Sequence, residues 1–361
     1  MCSGVLQPIA RYKGLVGWVR QSGRMVEISA RQFGIGVCAV ALLLQVAPVA
    51  AQSSSESFPS KPVHIVVPFG PGSGTDTATR MLAQHLEAGL KRSVVVENKP
   101  GASGAVAAQA IARAAPDGYS LLMGTNSTHG ANPGLIAKLG YDPIKDFVPV
   151  GMVGVFASFL VVNPALPIRT PAELIAYGKA NPKALTFAAG NTSSLIMGEM
   201  FARDAGIEML RVPYQSNPAG ITDVIGGRVS VMFPDVASSL AHVKAGTLRA
   251  LATVSLGNRI PQAPDLPTVS ETVLPNFRFI GWIGLFAPAG TPESVVNVLS
   301  AELRKSLAKP EMVQRFQQMG AEPNGWHRLI SGPTWRARLC ACPESWPISV
   351  SSHNKTDHAM C

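Results

Sequence analysis

The feature that most constrains this chain is a recurring unit. A short β-branched run stops at a loop of glycine and hydroxyl residues, and the loop opens a helix. Val63–Val67 is followed by the loop Phe69–Asp76, then by helically spaced Ala78, Met81, Leu82 and Leu86 over Thr77 to about Leu90. Val94–Glu97 leads through Gly101–Ser103 into an alanine-rich helix over Gly104–Ala115, and Tyr119–Met123 runs into Gly124–His129. A second series starts at Phe159–Asn163 and a helix opened by Thr170-Pro171-Ala172-Glu173, a capping-box pattern. It continues through Thr186–Ala189, the loop Gly190–Ser194 and a helix ending near Asp204. Helices over Asn217–Ile225 and Asp235–Ala245 flank a strand at Val229–Phe233, and Ala250–Ser255 is a further strand. An apolar segment, Phe277–Ala287, precedes Gly290-Thr291-Pro292, where Thr291 is expected to cap a helix with Pro292 at its first position. Alternation of this kind predicts an α/β fold with mainly parallel sheets flanked by helices. No repeat of 20–50 residues is visible.

Charge and cysteine both set the ends of the chain apart from its body. Apolar residues make up 47% of the sequence, enough to bury a sizeable core and to exclude a disordered chain. The formal charge of +9 suggests nucleic acid until its location is traced. Arg11, Lys13, Arg20, Arg24 and Arg31 face only Glu27 in the first segment, and Arg328, Arg336, Arg338 and Lys355 outnumber Glu344 and Asp357 in the last. The body between is near balance and has no basic tract that could follow a phosphate backbone, so no nucleic-acid partner is expected. Cys2 and Cys38 precede the body, and Cys340, Cys342 and Cys361 follow it. The body therefore offers no thiol nucleophile and no cysteine metal site.

Arg31 precedes the apolar stretch Phe33–Ala47, and Pro48-Val49-Ala50-Ala51-Gln52 follows it. A basic start, a short apolar core and small residues at the end define an export signal, here expected to be cleaved after Ala51. The alternative is an uncleaved anchor, for which the stretch is short. Met25 would give a more ordinary signal length than Met1. Beyond Asn324, Gly325, Pro333, Pro343 and Pro347 interrupt every candidate element. Cys340-Ala341-Cys342 with His353 and His358 has poor zinc spacing, so no metal is expected. Residues 324–361 are read as an irregular tail, the product of a reading-frame slip.

Enzyme signatures are missing from the body. Gly101–Ala105 lacks the order of a nucleophile elbow, and Gly70-Pro71-Gly72-Ser73-Gly74 lacks both the dinucleotide fingerprint and the Lys-Ser/Thr that closes a phosphate-binding loop. What recurs is the loop that ends a strand and opens a helix. Ser73, Thr75, Thr125, Ser127, Thr128, Thr192, Ser193 and Ser194 lie in three such loops. Their amides and hydroxyls, backed by helix dipoles, would gather at the carboxyl edge of a sheet and could hold a carboxylate without a buried arginine. Each loop taken singly is more often just a helix cap, and the three together on an exported chain without an enzyme signature reverse that balance.

The segments KPVHIVVPFGPGSGTDTATR, ENKPGASGAVAAQAIARAAPDGYSLLMGTNSTHGANPGL, RVPYQSNPAGITDVIGGRVSVMFPDVASSLAHVKAGTLRALA and GWIGLFAPAGTP resemble the Bug family, the periplasmic solute-binding proteins of tripartite tricarboxylate transporters. The resemblance covers about residues 58–323. It implies a two-lobed, periplasmic-binding-protein-like fold, with 58–158 and 280–323 in one lobe and 159–279 in the other. It also implies a monomer without cofactor that captures a small organic acid and delivers it to membrane permease subunits. By the same resemblance the ligand is gripped by Phe69, Gly70, Gly72, Ser73, Gly74, Thr75 and Asp76, by Thr125, Asn126, Ser127, Thr128 and His129, and by Asn191, Thr192, Ser193 and Ser194. Tyr214 and Asp235 would face the same cleft. Relatives often carry His at Leu195 and Lys at Gln215, so a less anionic or more apolar distal group on the ligand is expected. A helical segment closes the chain in relatives, where this sequence turns irregular after Pro323.

Single residues keep two readings. His129 is a loop hydrogen-bonder or a ligand contact, and Asp76 and Asp235 are helix caps or partners for an amino or hydroxyl group. His64 and His85 are read as structural, and Trp282 as packing at a crossing between lobes. The competing function is an exported hydrolase or isomerase with His129 and Asp76 or Asp235 as acid and base. A non-functional frameshifted product is the third reading.

Overall fold

The computed structural model describes residues 58–323, so the proposed export segment and the irregular tail lie outside the described residues. In chain order the elements are β1 (Val63–Val67), α1 (Gly74–Leu90), β2 (Val94–Asn98), α2 (Ala105–Ala112), β3 (Ser120–Thr125), a wide turn with i→i+5 hydrogen bonds over Ser127–Ala131, and the short α3 (Asn132–Leu135). β4 (Phe147–Phe156) and β5 (Ser158–Val162) follow, then α4 (Pro171–Ala180), β6 (Leu185–Ala189), α5 (Thr192–Ala205), β7 (Met209–Pro213), α6 (Asn217–Ile225), β8 (Val231–Met232), α7 (Val236–Lys244) and β9 (Arg249–Val254). The chain finishes with α8 (Val269–Thr272), β10 (Gly281–Pro288), α9 (Glu293–Leu307), α10 (Pro310–Gln318) and β11 (Ala321–Pro323).

Two sheets result, ordered β11-β4-β10-β3-β1-β2 and β7-β6-β8-β5-β9. The two-lobed α/β arrangement is the expected one, but the sheets are mixed rather than mainly parallel. β2-β1-β3 and β7-β6-β8 run parallel, while β10, β4 and β11 in the first sheet and β5 and β9 in the second pair antiparallel. The reason lies in connectivity. β4 runs into β5 across the single residue Ala157, and β10 re-enters the first sheet just after Phe279, so both crossing segments arrive from outside a βαβ unit.

Both sheets are covered on both faces, as parallel strands require. In the first lobe Ala78, Leu82, Leu86 and Leu90 of α1 join Leu299, Leu303 and Leu307 of α9 and Met312 and Phe316 of α10 over one face. Ala105, Ala108 and Ile111 of α2 with Tyr141, Phe147 and Phe286 cover the other. In the second lobe Phe187, Phe201, Phe233 and Phe277 make an aromatic cluster on one face, and Ile221, Val224 and Val236 pack on the opposite one.

Helix ends depart from expectation in two places. Thr291 does not cap α9: its hydroxyl donates to Pro288 O at 2.8 Å, and Pro292 is the residue preceding the first turn. Thr170 does cap α4, accepting from Glu173 N at 3.1 Å, but the Glu173 carboxylate accepts from Arg169 N, one residue before a reciprocal box would place it.

Candidate functional site

Five helical or wide-turn starts leave the carboxyl ends of parallel strands and meet between the lobes: α1 after β1, the turn after β3, α5 after β6, α6 after β7 and α7 after β8. Such ends carry free N–H groups and a positive partial charge. They surround a cavity of about 40 Å³, roughly the room of a few water molecules. Phe69, Gly74, Thr75, Thr125, Asn126 and Ser127 line it from the first lobe, and Asn191, Ser193 and Asp235 from the second.

The local sequence fixes each start. Ser73 caps α1 by accepting from Asp76 N at 3.2 Å. Gly72 takes φ +77°, a left-handed conformation that suits glycine, and donates its N–H to Asp76 Oδ2 at 3.0 Å. Asp76 also accepts from Arg80 Nε at 2.9 Å and Asn98 Nδ2 at 2.8 Å, so its carboxylate is engaged by three donors of the first lobe. In the wide turn, Thr125 Oγ1 accepts from the amides of Ser127 (3.1 Å) and Thr128 (3.3 Å), Thr128 Oγ1 accepts from Thr125 N at 2.9 Å, and Tyr141 donates to Thr128 O at 2.6 Å. Burial pushes the Tyr141 hydroxyl up to about 12, so it stays a donor. Asn191 and Ser194 cap α5 reciprocally, with Asn191 Oδ1 accepting from Ser194 N (2.8 Å) and Ser194 Oγ accepting from Asn191 N (3.1 Å). Asp235 caps α7 through Ser238 N at 2.9 Å.

The lobes also touch directly. Asn126 Nδ2 donates to Ser193 Oγ at 2.6 Å, Thr192 N to Ser127 Oγ at 3.3 Å, and Thr192 Oγ1 to Asn132 Oδ1 at 2.9 Å. The buried Asn132 amide in turn donates to Ser103 O at 3.0 Å, within a loop where Ala102 and Ser103 both have positive φ.

Several expected contacts lie elsewhere. Gly70 packs against Ser216, and Gly72, Ser73 and Asp76 build the first loop from behind. Thr128, Thr192 and Ser194 hold the other loops rather than lining the cavity. His129 is a core residue, 6% exposed, stacked on Phe286 at 4.0 Å with Phe147 at its edge. Its Nδ1 lies 2.9 Å from Thr128 Oγ1, and burial alone drops its pKa to about 3, leaving the ring neutral. Tyr214 is not among the residues lining the cavity and donates to Asp223 at 2.6 Å; burial first and Asp223 second raise its hydroxyl to about 12. Leu195 packs on the second-lobe core and Gln215 is exposed, so neither lines the cavity and the inference drawn from them about the ligand's distal group falls.

The cavity also takes residues the sequence did not single out: Phe156, Ser158, Met197, Asn217, Phe233, Gly281 and Ile283. Trp282, read as crossing-segment packing, lines it as well. Asn217 could have been found by asking which polar residue opens the helix after β7; the apolar lining has no such signal.

The model of the tripartite tricarboxylate transporter family receptor matches residues 78–327. The chain belongs to that family. This receptor is similar to the protein BugT of Bordetella pertussis, 33% identical over 79% of the chain and 88% of the relative. It is also similar to a protein of the tcbD-tcbE intergenic region of Pseudomonas sp. strain P51, 35% identical over 75% of the chain and 81% of the relative. Among solved structures, the periplasmic binding protein BugD superposes with TM-score 0.73 at 33% identity, covering 78% of this receptor and 94% of BugD. MatC from Rhodopseudomonas palustris with bound malate gives TM-score 0.73 at 30% identity over 78% and 96%. An R. palustris protein with adipate gives 0.73 at 31% over 74% and 90%. The receptor is therefore a periplasmic-type solute-binding protein of this family.

Proposed function

We propose that this receptor captures a small carboxylate between its lobes, 58–158 with 280–323 on one side and 159–279 on the other, and yields it to membrane permease subunits. One observation carries the reading: helical starts from both lobes converge on a single cavity. The side-chain caps of α1, α5 and α7 each take one first-turn N–H, and α6 has no side-chain cap, so N–H groups remain for an anion. The hydroxyls of Thr75, Thr125, Ser127 and Ser193 add neutral donors, so a carboxylate can be held without desolvating an arginine. The malate and adipate named for two structural relatives are guests of this chemical class. A cavity this small fits capture by hinged lobes that open to admit the guest.

The competing enzymatic reading loses its acid–base pair. Whichever carboxylate is paired with it, Asp76 or Asp235, the histidine is missing: His129 is sealed between aromatic rings, and Asp76 is already engaged by Gly72, Arg80 and Asn98. We further propose a monomer working outside the cytoplasm after removal of the segment ending at Ala51. A guest at one hundred times its Kd adds about 2.7 kcal/mol of stability. That corresponds to a rise in Tm of roughly 5–10 °C for a body of this size. Thermal-shift and calorimetric titration with mono- and dicarboxylates is expected to give such a rise without any product. Turnover of the added acid, or no response to any of them, overturns the proposal.

A further inference from the structure

We infer that the captured acid carries a hydrogen-bond donor, a hydroxyl or an ammonium group, next to its carboxylate, and that Asp235 and Asn217 receive it. The inference rests on the capture reading above and specifies the class of guest.

Among the described residues lining the cavity, Asp235 is the single ionisable one. A site assembled from helix starts is arranged to attract negative charge, and an aspartate inside it works against a plain carboxylate guest. The capping duty of Asp235 does not explain the charge, because Asn or Ser would cap α7 as well. Its carboxylate accepts from Ser238 N at 2.9 Å and Asn217 Nδ2 at 2.6 Å. An ionised carboxylate has about four lone-pair sites, so acceptor capacity remains.

Asn217 supplies the second observation. It is 2% exposed and lines the same cavity. Its bond to Asp235 fixes which end of the amide is the donor, since the reverse orientation would set oxygen against carboxylate. The other end, Oδ1, is a buried acceptor with no hydrogen-bond partner among the described residues. Buried acceptors are rarely left so. Two linked acceptors of the second lobe thus belong to the cavity lining: Asp235 lies against the start of α1, where it meets Gly74, and Asn217 Oδ1 lies beside Gly190 at the start of α5. A guest whose carboxylate sits at the α1 start and whose hydroxyl or ammonium sits beside it meets donors on one side and acceptors on the other.

The test is calorimetric titration of the purified protein with matched trios: succinate, malate and aspartate; glutarate, 2-hydroxyglutarate and glutamate. Within a trio that binds, a substituted acid is expected to bind at least roughly ten-fold tighter than the unsubstituted one. Asp235→Asn keeps an α7 cap while removing the charge. It is expected to shrink the preference for ammonium at least roughly ten-fold, and that for hydroxyl less, because only the former is charge-assisted. Unchanged cooperative unfolding of the variant shows that the cap survives. The inference is overturned if the unsubstituted acid binds as tightly as its partners, or if the variant keeps the full preference; capture of acids would still stand. If no acid of either trio or of the wider panel binds, the capture reading fails and this one with it.

Discussion

A histidine in a hydroxyl-rich loop invites a functional role, and at the residue scale His129 shows how burial removes it. Stacked on Phe286 and edged by Phe147, the ring cannot be protonated without losing hydration, and its pKa falls to about 3. The consequence appears in stability rather than in binding. Between that value and the ordinary 6.5 the unfolded chain binds a proton that the folded protein does not. Stability from this group is therefore full above pH 6.5 and is lost as pH falls, by up to about 1.4 kcal/mol per pH unit. Urea unfolding of the wild type between pH 7 and pH 4 should show this loss. His129→Leu, which fills the same space without a titrating group, should flatten the slope. An identical slope in both proteins would assign it to the carboxylates instead.

At the element scale, the caps decide whether the convergent helix starts keep their shape. Removing the Ser73 hydroxyl frees Asp76 N and loosens the first turn of α1. Ser73→Ala is expected to cost about 1 kcal/mol in urea unfolding and to weaken capture of the carboxylate guest, with calorimetry reading the second effect. Loss of stability without loss of affinity would show that the α1 start is not part of the site. The glycine loops and capping residues are local chemistry, which is why β1, α1, β3, α5, α6 and α7 were legible in the sequence. β4 was not. Pro149, Gly151 and Gly154 give the segment no strand signal, yet the glycines are where α9 and α10 press closest: an added Cβ would meet Leu303 at 2.8 Å from Gly151 and Phe316 at 2.9 Å from Gly154. Packing, not propensity, makes that segment a strand. Similarly, the caps announced that loops existed but not which of their residues turn outward. Ser193 lines the cavity while its neighbours Thr192 and Ser194 are spent on holding the loops, and nothing in a run of hydroxyl residues separates the two duties.

At the scale of the whole molecule, capture requires that the closed arrangement be favoured only modestly, since a receptor must also release its guest. Of the cross-lobe bonds, the one from Thr192 to Asn132 is separable from the ligand contacts, because neither residue lines the cavity, whereas Asn126, Ser127 and Ser193 do. Thr192→Val preserves the shape and the backbone amide but removes the hydroxyl donated to Asn132. Losing one such bond costs about 1 kcal/mol, more where the abandoned acceptor stays buried. Because the bond exists only when the lobes meet, the loss should appear as a faster dissociation rate, on the order of five- to thirty-fold, with the association rate little changed. Stopped-flow or surface-binding kinetics separate the two rates. Gly74 gives the complementary case. A Cβ there would collide with Asp235 Oδ1, an atom of the opposite lobe. Gly74→Val burdens the joined lobes and leaves the first lobe's own packing alone, so the unliganded variant should unfold at about the wild-type temperature yet show no ligand-dependent rise. A normal rise would mean that the lobes can meet in another way around the guest, and that the approach of Gly74 to Asp235 is not part of capture.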